Sequence, residues 1–172
     1  MKTKRIIAEV LCAALLIPNT VAEASPANNL LAYEPITSEE LEIGLLYDLK
    51  PLADTYVEAG ETYGINPVFL AAKDAEESGW GRYHSGENNL GGWRSDDGSY
   101  MSFDSMEDYI FYSAEKLKQN YLEEDGVYYN GTSLSAVSIC YSEDSETWEN
   151  HIEDIMYQIE WRIEEGMENT RD

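Results

Sequence analysis

The chain has 172 residues, with 34 Asp and Glu against 11 Lys and Arg, for a formal net charge of -23. So acidic a surface repels nucleic acid and anionic membranes, and excludes a role built on phosphate contacts. Apolar residues still make up 43% of the chain, enough for a core, so runs such as Glu123 to Asp125 and Glu143 to Glu149 read mainly as solvated faces.

Met1 to Ala24 has a basic front (Lys2, Lys4, Arg5), an apolar middle from Ile6 to Pro18 interrupted by Glu9, and Ala22-Glu23-Ala24 before Ser25. This pattern predicts a signal peptide over 1–24, cleaved so that the mature protein is secreted and begins at Ser25. The apolar middle is short for a membrane span, and Glu9 and Val10 are not the residues expected ahead of a lipidated Cys12. The chain from Ser25 onward is the size of one ordinary domain: a flexible lead over 25–36, then the folded domain over 37–172. Only Cys140 remains after the leader, so no disulfide can form within the mature chain. It reads as a buried, inert thiol, because His84 and His151 stand in polar stretches that mark neither as its base.

The first helix starts at Thr37 or Ser38, where Thr37 and Glu40 have capping-box spacing. Leu41, Leu45, Leu46 and Leu49 line one face before Pro51 breaks the chain. A second helix, Leu52 to Tyr63, closes at Gly64. A third opens on Asn66-Pro67, with Asn66 as cap and Pro67 in the first turn, and stops at Ser78, Gly79 and Gly81. Between Tyr83 and Phe103 the chain changes character: Gly86, Gly91, Gly92 and Gly98 punctuate it, and Ser95-Asp96-Asp97-Gly98-Ser99 reads as a hairpin turn between short strands. Ser105 caps a helix from Met106 to Tyr121, with Met106, Tyr109, Ile110, Ala114 and Leu117 on one face. A loop through Gly126 to Gly131 leads to a short helix, Leu134 to Tyr141. A last helix runs from about Ser145 to Glu165, with Trp148, Ile152, Ile155, Ile159 and Ile163 at near-helical spacing. The predicted fold is mainly α, a domain with a small β-hairpin lobe.

No internal repeat, phosphate-binding glycine loop, paired-cysteine spacing or basic aromatic patch is visible, so no metal and no cofactor are expected. Asn130-Gly131-Thr132 is a formal glycosylation acceptor. The residue that stands out is Glu77, at the end of a rigid helix and beside Trp80 in sequence. A large apolar neighbour disfavours ionisation, which suits a general acid working near neutral pH. Glu76 points about 100° away on the helix and reads as solvated.

Asn66-Pro67, Glu77-Ser78-Gly79-Trp80-Gly81, Asn88-Asn89-Leu90 with Gly92-Trp93, Ser105 with Asp108-Tyr109, and Tyr141 followed by Trp148 occur in an order that resembles bacterial N-acetylglucosaminidases of glycoside hydrolase family 73. That family belongs to the lysozyme-like superfamily, and the resemblance covers about Leu52 to Ile155. It implies a lysozyme-like α+β domain with the hairpin lobe beside an active-site groove. It also implies Glu77 as catalytic acid, Tyr141 as a tyrosine of the substrate cleft, and Trp80, Asn89 and Trp93 as residues shaping the groove. The chain departs from the family at Gly91, where a phenylalanine is usual, and in its short lobe, where only Asp96 and Asp97 offer a second carboxylate. Asp97 or Asp96 could activate water if the lobe closes onto the substrate, though Asp97-Gly98 reads first as a turn dipeptide.

Glycoside cleavage passes through a cationic sugar and needs a proton donor plus a group that stabilises or traps the cation. Glu77 can supply the first. The second could be an aspartate or the substrate's own N-acetyl group, with Tyr141 orienting it. The expected activity is endo-β-N-acetylglucosaminidase cleavage of peptidoglycan glycan strands by a secreted monomer, alone or beside partners in a cell-wall machine. Two alternatives stay open: a muramidase or lytic transglycosylase on the same fold, and a wall-binding or assembly protein without turnover. The acidic surface should be repelled by an anionic wall, which keeps the last of these open.

Overall fold

A computed structural model describes residues 26–169; the proposed leader lies outside them. Six α-helices carry the fold: α1 (Ser38–Gly44), α2 (Ala53–Tyr63), α3 (Pro67–Ser78), α4 (Met106–Leu117), α5 (Leu134–Tyr141) and α6 (Ser145–Glu168). Their starts follow local chemistry. Thr37 and Glu40 form the reciprocal capping box of α1, and the Asn66 side chain accepts from Val68 N–H at 2.9 Å at the head of α3. Ser105, Ser133 and Asp144 cap α4, α5 and α6 in the same way. Pro51 sits within a 3-10 turn, Tyr47–Leu52, that joins α1 to α2. The lead is tied down where Leu30, fully buried, donates to Thr132 O and accepts from Asn66 N–H, each at 2.8 Å.

The long helix α6 lies against α1, α3 and α5, and α2 bridges α1, α3 and α4. The inward stripe of α6 is Trp148, Ile152, Ile155, Ile159 and Ile163, joined by Met156. At about 1.5–3 kcal/mol for each large apolar side chain fully buried, that stripe is a main source of the domain's stability. Helix α3 is the most enclosed element, with every residue from Pro67 to Ala75 buried.

The β-hairpin lobe, and with it the α+β class, is overturned: among the described residues there is no strand, only single bridges at Gly86 with Asn89 and at Arg94 with Tyr100. The turn itself does close, with Ser95 N–H bonded to Ser99 O and Met101 N–H to Trp93 O, each at 2.9 Å. The ladder then stops because Asn89 intercepts it. Its side-chain oxygen takes the Trp93 N–H at 2.9 Å, its amide donates to Met101 O at 3.0 Å, and Phe103 N–H turns to Glu87 O. The next rung would have used those same groups, so a side chain replaces a strand pair. Cys140 differs too: it is exposed on α5 rather than buried.

Candidate active site

Helix α3 ends where Gly79 adopts the left-handed conformation at φ 58°. Trp80 follows at φ 64°, which is strained for a bulky residue. Glu77, two residues before Gly79, is exposed as a residue, while its carboxyl group is partly enclosed. Its Oε1 accepts from Trp148 Nε1–H at 3.1 Å, so the indole that meets the carboxylate comes from the first turns of α6. The Trp80 ring instead lies under the Arg162 guanidinium, 5.0 Å from its centroid, and Arg162 in turn donates to Gly44 O.

Burial raises the Glu77 carboxyl above the usual carboxylate range. The Lys73 charge and the Trp148 hydrogen bond pull it part of the way back, while Asp74 and Glu76 add to the rise. A second layer lies beneath it. Lys73 and Asp74 form a buried ion pair inside α3. Asp74 also accepts from the hydroxyls of Tyr109 at 2.7 Å and Tyr56 at 3.0 Å, and Lys73 Nζ donates to the Tyr109 oxygen at 3.1 Å. Burial alone would lower the Lys73 pKa; Asp74 and the Tyr109 oxygen outweigh it and hold the ammonium firmly protonated. This network explains Gly91: a Cβ there would fall within the envelope of the Tyr109 hydroxyl.

Tyr141, at the end of α5, packs on Trp148 with ring centroids 4.8 Å apart. Burial, then the nearby Glu77 charge, pushes its phenol well above the ordinary value. It therefore stays protonated and able to donate. Glu77, Trp148 and Tyr141 are the residues brought together.

The other expected site residues stand apart in role. Asn89 is fully buried, its amide spent on the backbone of its own loop. Trp93 packs edge-on against Tyr112 at 5.4 Å, and its buried indole N–H has no partner. Asp96 is exposed, and Asp97 accepts from Ser99 N–H at 2.9 Å and Ser99 Oγ–H at 2.7 Å, bonds that lower its pKa and close the turn. No hydrogen bond or ion pair joins Asp96 or Asp97 to Glu77 among the described residues. Glu76, expected to be solvated, pairs with His151 across α3 and α6, 2.8 Å from Oε1 to Nδ1.

An open cavity of about 510 Å³ lies elsewhere, lined by Ile36, Val57, Asp54, Glu58 and Glu61. Glu77, Trp148 and Tyr141 are not among its lining residues, so the chemistry rather than the volume locates the candidate site. Among the described residues no group of three or more His, Cys, Asp or Glu could hold a metal ion, and no helix is long and apolar enough to cross a membrane.

A helical domain presenting a raised-pKa carboxylate, a supporting indole and a protonated phenol has the equipment of a proton-donating site with aromatic walls. No protein-family model matches the chain. Over 115 residues it is 31% identical to the "Putative endo-beta-N-acetylglucosaminidase" of Streptococcus pneumoniae serotype 4 (strain ATCC BAA-334 / TIGR4), which covers 63% of this chain and 17% of that protein. A protein of the same name from Streptococcus pneumoniae (strain ATCC BAA-255 / R6) matches at 31% over 115 residues, 63% of this chain and 16% of its own length. The chain thus spans about a sixth of the length of these curated relatives.

Proposed function

We propose that this chain is a glycoside hydrolase of the family 73 kind, an endo-β-N-acetylglucosaminidase acting on peptidoglycan outside the cell that makes it. The observation that carries this reading is the Glu77 carboxyl at the end of α3, with its pKa raised by burial and its oxygen held by the Trp148 indole. The names of the two relatives point the same way. In this reading Glu77 protonates the leaving oxygen. Asp97 is engaged in its turn, which favours the substrate's N-acetyl group as the second catalytic group, oriented by the Tyr141 phenol.

The test is mass spectrometry of borohydride-reduced fragments after incubation with purified peptidoglycan. Reduced N-acetylglucosamine ends are expected from the parent and none from Glu77→Gln at an unchanged melting temperature. Reduced muramic ends or anhydro ends would replace the glucosaminidase with a muramidase or a transglycosylase. Pelleting with the wall without any new ends would leave a binding protein.

A further inference from the structure

The aromatic packing at Glu77 does not end with Tyr141. Tyr121 packs at a tilt of 56° on Tyr141 with ring centroids 5.5 Å apart, and Tyr128 packs on Tyr121 at 5.0 Å and 33°. With Trp148 they form a continuous row of four rings leading away from the carboxylate. Its far end is open: Tyr128 is 47% exposed, and Val127 and Tyr129 beside it are exposed too. A cluster of large apolar side chains left in water at one end of a site usually meets something.

The row is held in place by backbone. After Leu117 the helix widens into a π-turn, Lys118–Leu122, which carries Tyr121; such turns concentrate at functional sites. The following loop folds back on it, with Tyr128 N–H donating to Asn120 O at 2.8 Å, Tyr129 N–H to Gly126 O at 3.0 Å and Gly126 N–H to Glu123 O at 2.9 Å. Tyr128 is thus exposed but fixed, the condition under which a ring binds without a large ordering cost. The adjoining Glu123, Glu124 and Asp125 disfavour an anionic occupant. A flat apolar ring edged by a hydroxyl, among carboxylates, suits the face of an uncharged sugar.

We infer that Tyr121 and Tyr128 form a distal sugar-binding subsite, which stacks on a pyranose ring of the glycan strand remote from the bond that Glu77 faces. The inference rests on the glycosidase reading for its ligand, and extends the site from the residues around Glu77 to a loop beyond the reacting centre.

The experiment is a calorimetric titration of the full chain, in a Glu77→Gln background, with soluble N-acetylglucosamine oligomers from dimer to hexamer. Binding tightens with length, and adding Tyr128→Ala removes about tenfold of the hexamer affinity while leaving the dimer unchanged. Tyr128→Trp retains the gain with length. The subsite is overturned if Tyr128→Ala binds the hexamer as tightly as its parent, if it loses the same factor at every length, or if no oligomer binds at all. Cleavage is scored separately on the parent chain: absence of new glycan ends together with the length-dependent loss would remove the hydrolase reading and leave the subsite standing.

Discussion

Replacing Lys73 by methionine isolates the buried layer under Glu77. The side chains have similar length, so the packing of the stem survives and the charge is lost. Lys73 is fully enclosed and Asp74 nearly so, at 0% and 1% exposure, so the change leaves a carboxylate without its cation in a site water does not reach. Removing one partner of such a pair costs about 3–5 kcal/mol. Asp74 keeps the phenol donors of Tyr109 and Tyr56, which places the loss near the lower end, about 3 kcal/mol. At about 2–4 °C per kcal/mol for a domain of this size, the melting temperature falls by roughly 6–12 °C. Asp74→Leu alone is also costly, and the double variant Lys73→Met with Asp74→Leu recovers part of the loss, giving a coupling of about 2 kcal/mol in a double-mutant cycle from urea melts. Lys73→Met also removes a charge that lowers the Glu77 pKa, so the alkaline limb of the cleavage profile moves up. A Lys73→Met protein that melts within a degree or so of its parent, or a strictly additive cycle, would refute the network.

Trp148→Phe deletes the hydrogen bond to ionised Glu77; the alkaline limb of cleavage should shift upward, and an unmoved limb would detach the indole from the acid. Gly91→Phe drives a side chain into the Tyr109 hydroxyl and should lower the urea midpoint by an amount worth about 1–3 kcal/mol or more; a neutral result would mean that the loop shifts freely. The His151 pKa is raised above 6.5 by its hydrogen bond to Glu76, then by the charges of Glu76, Asp154 and Asp144. The pair's stabilisation is therefore complete below pH 6.5 and fades as the pH rises through the raised value. The difference in melting temperature between parent and Glu76→Gln should accordingly be present just below pH 6.5 and vanish in alkali, and equal differences at both would count against the pair.

What the sequence made legible was local. Thr37 with Glu40, Asn66 with Pro67, and Gly64 each encode a cap through groups within a few residues, so helix starts and stops could be read directly. The stripe on α6 was legible for the same reason, since its period alone selects a face. Lys73 and Asp74 were not, because adjacent charges in a helix default to solvent; the phenols that satisfy them lie 18 and 35 residues from Asp74 in sequence. The available signal was Tyr56 and Tyr109 themselves, since a buried tyrosine hydroxyl needs a partner. The hairpin failed on a single amide. Asn89 takes the backbone groups that a ladder would have joined.

The same long-range assembly explains why Glu77 rather than Glu76 is the candidate acid. Both sit at the end of α3, and both reach α6, where Glu76 meets an ionisable histidine at the surface while Glu77 meets an indole that can only donate. Glu77 is further set between opposing influences, burial raising its pKa and the buried ammonium of Lys73, one helical turn below, restraining the rise. An acid must give up its proton in one step and recover it in the next, so an unopposed shift would serve it as poorly as none. The ion pair beneath the site therefore bears on the candidate acid as well as on the fold: its ammonium lowers the Glu77 pKa and its carboxylate raises it, while the pair anchors the helix that carries Glu77.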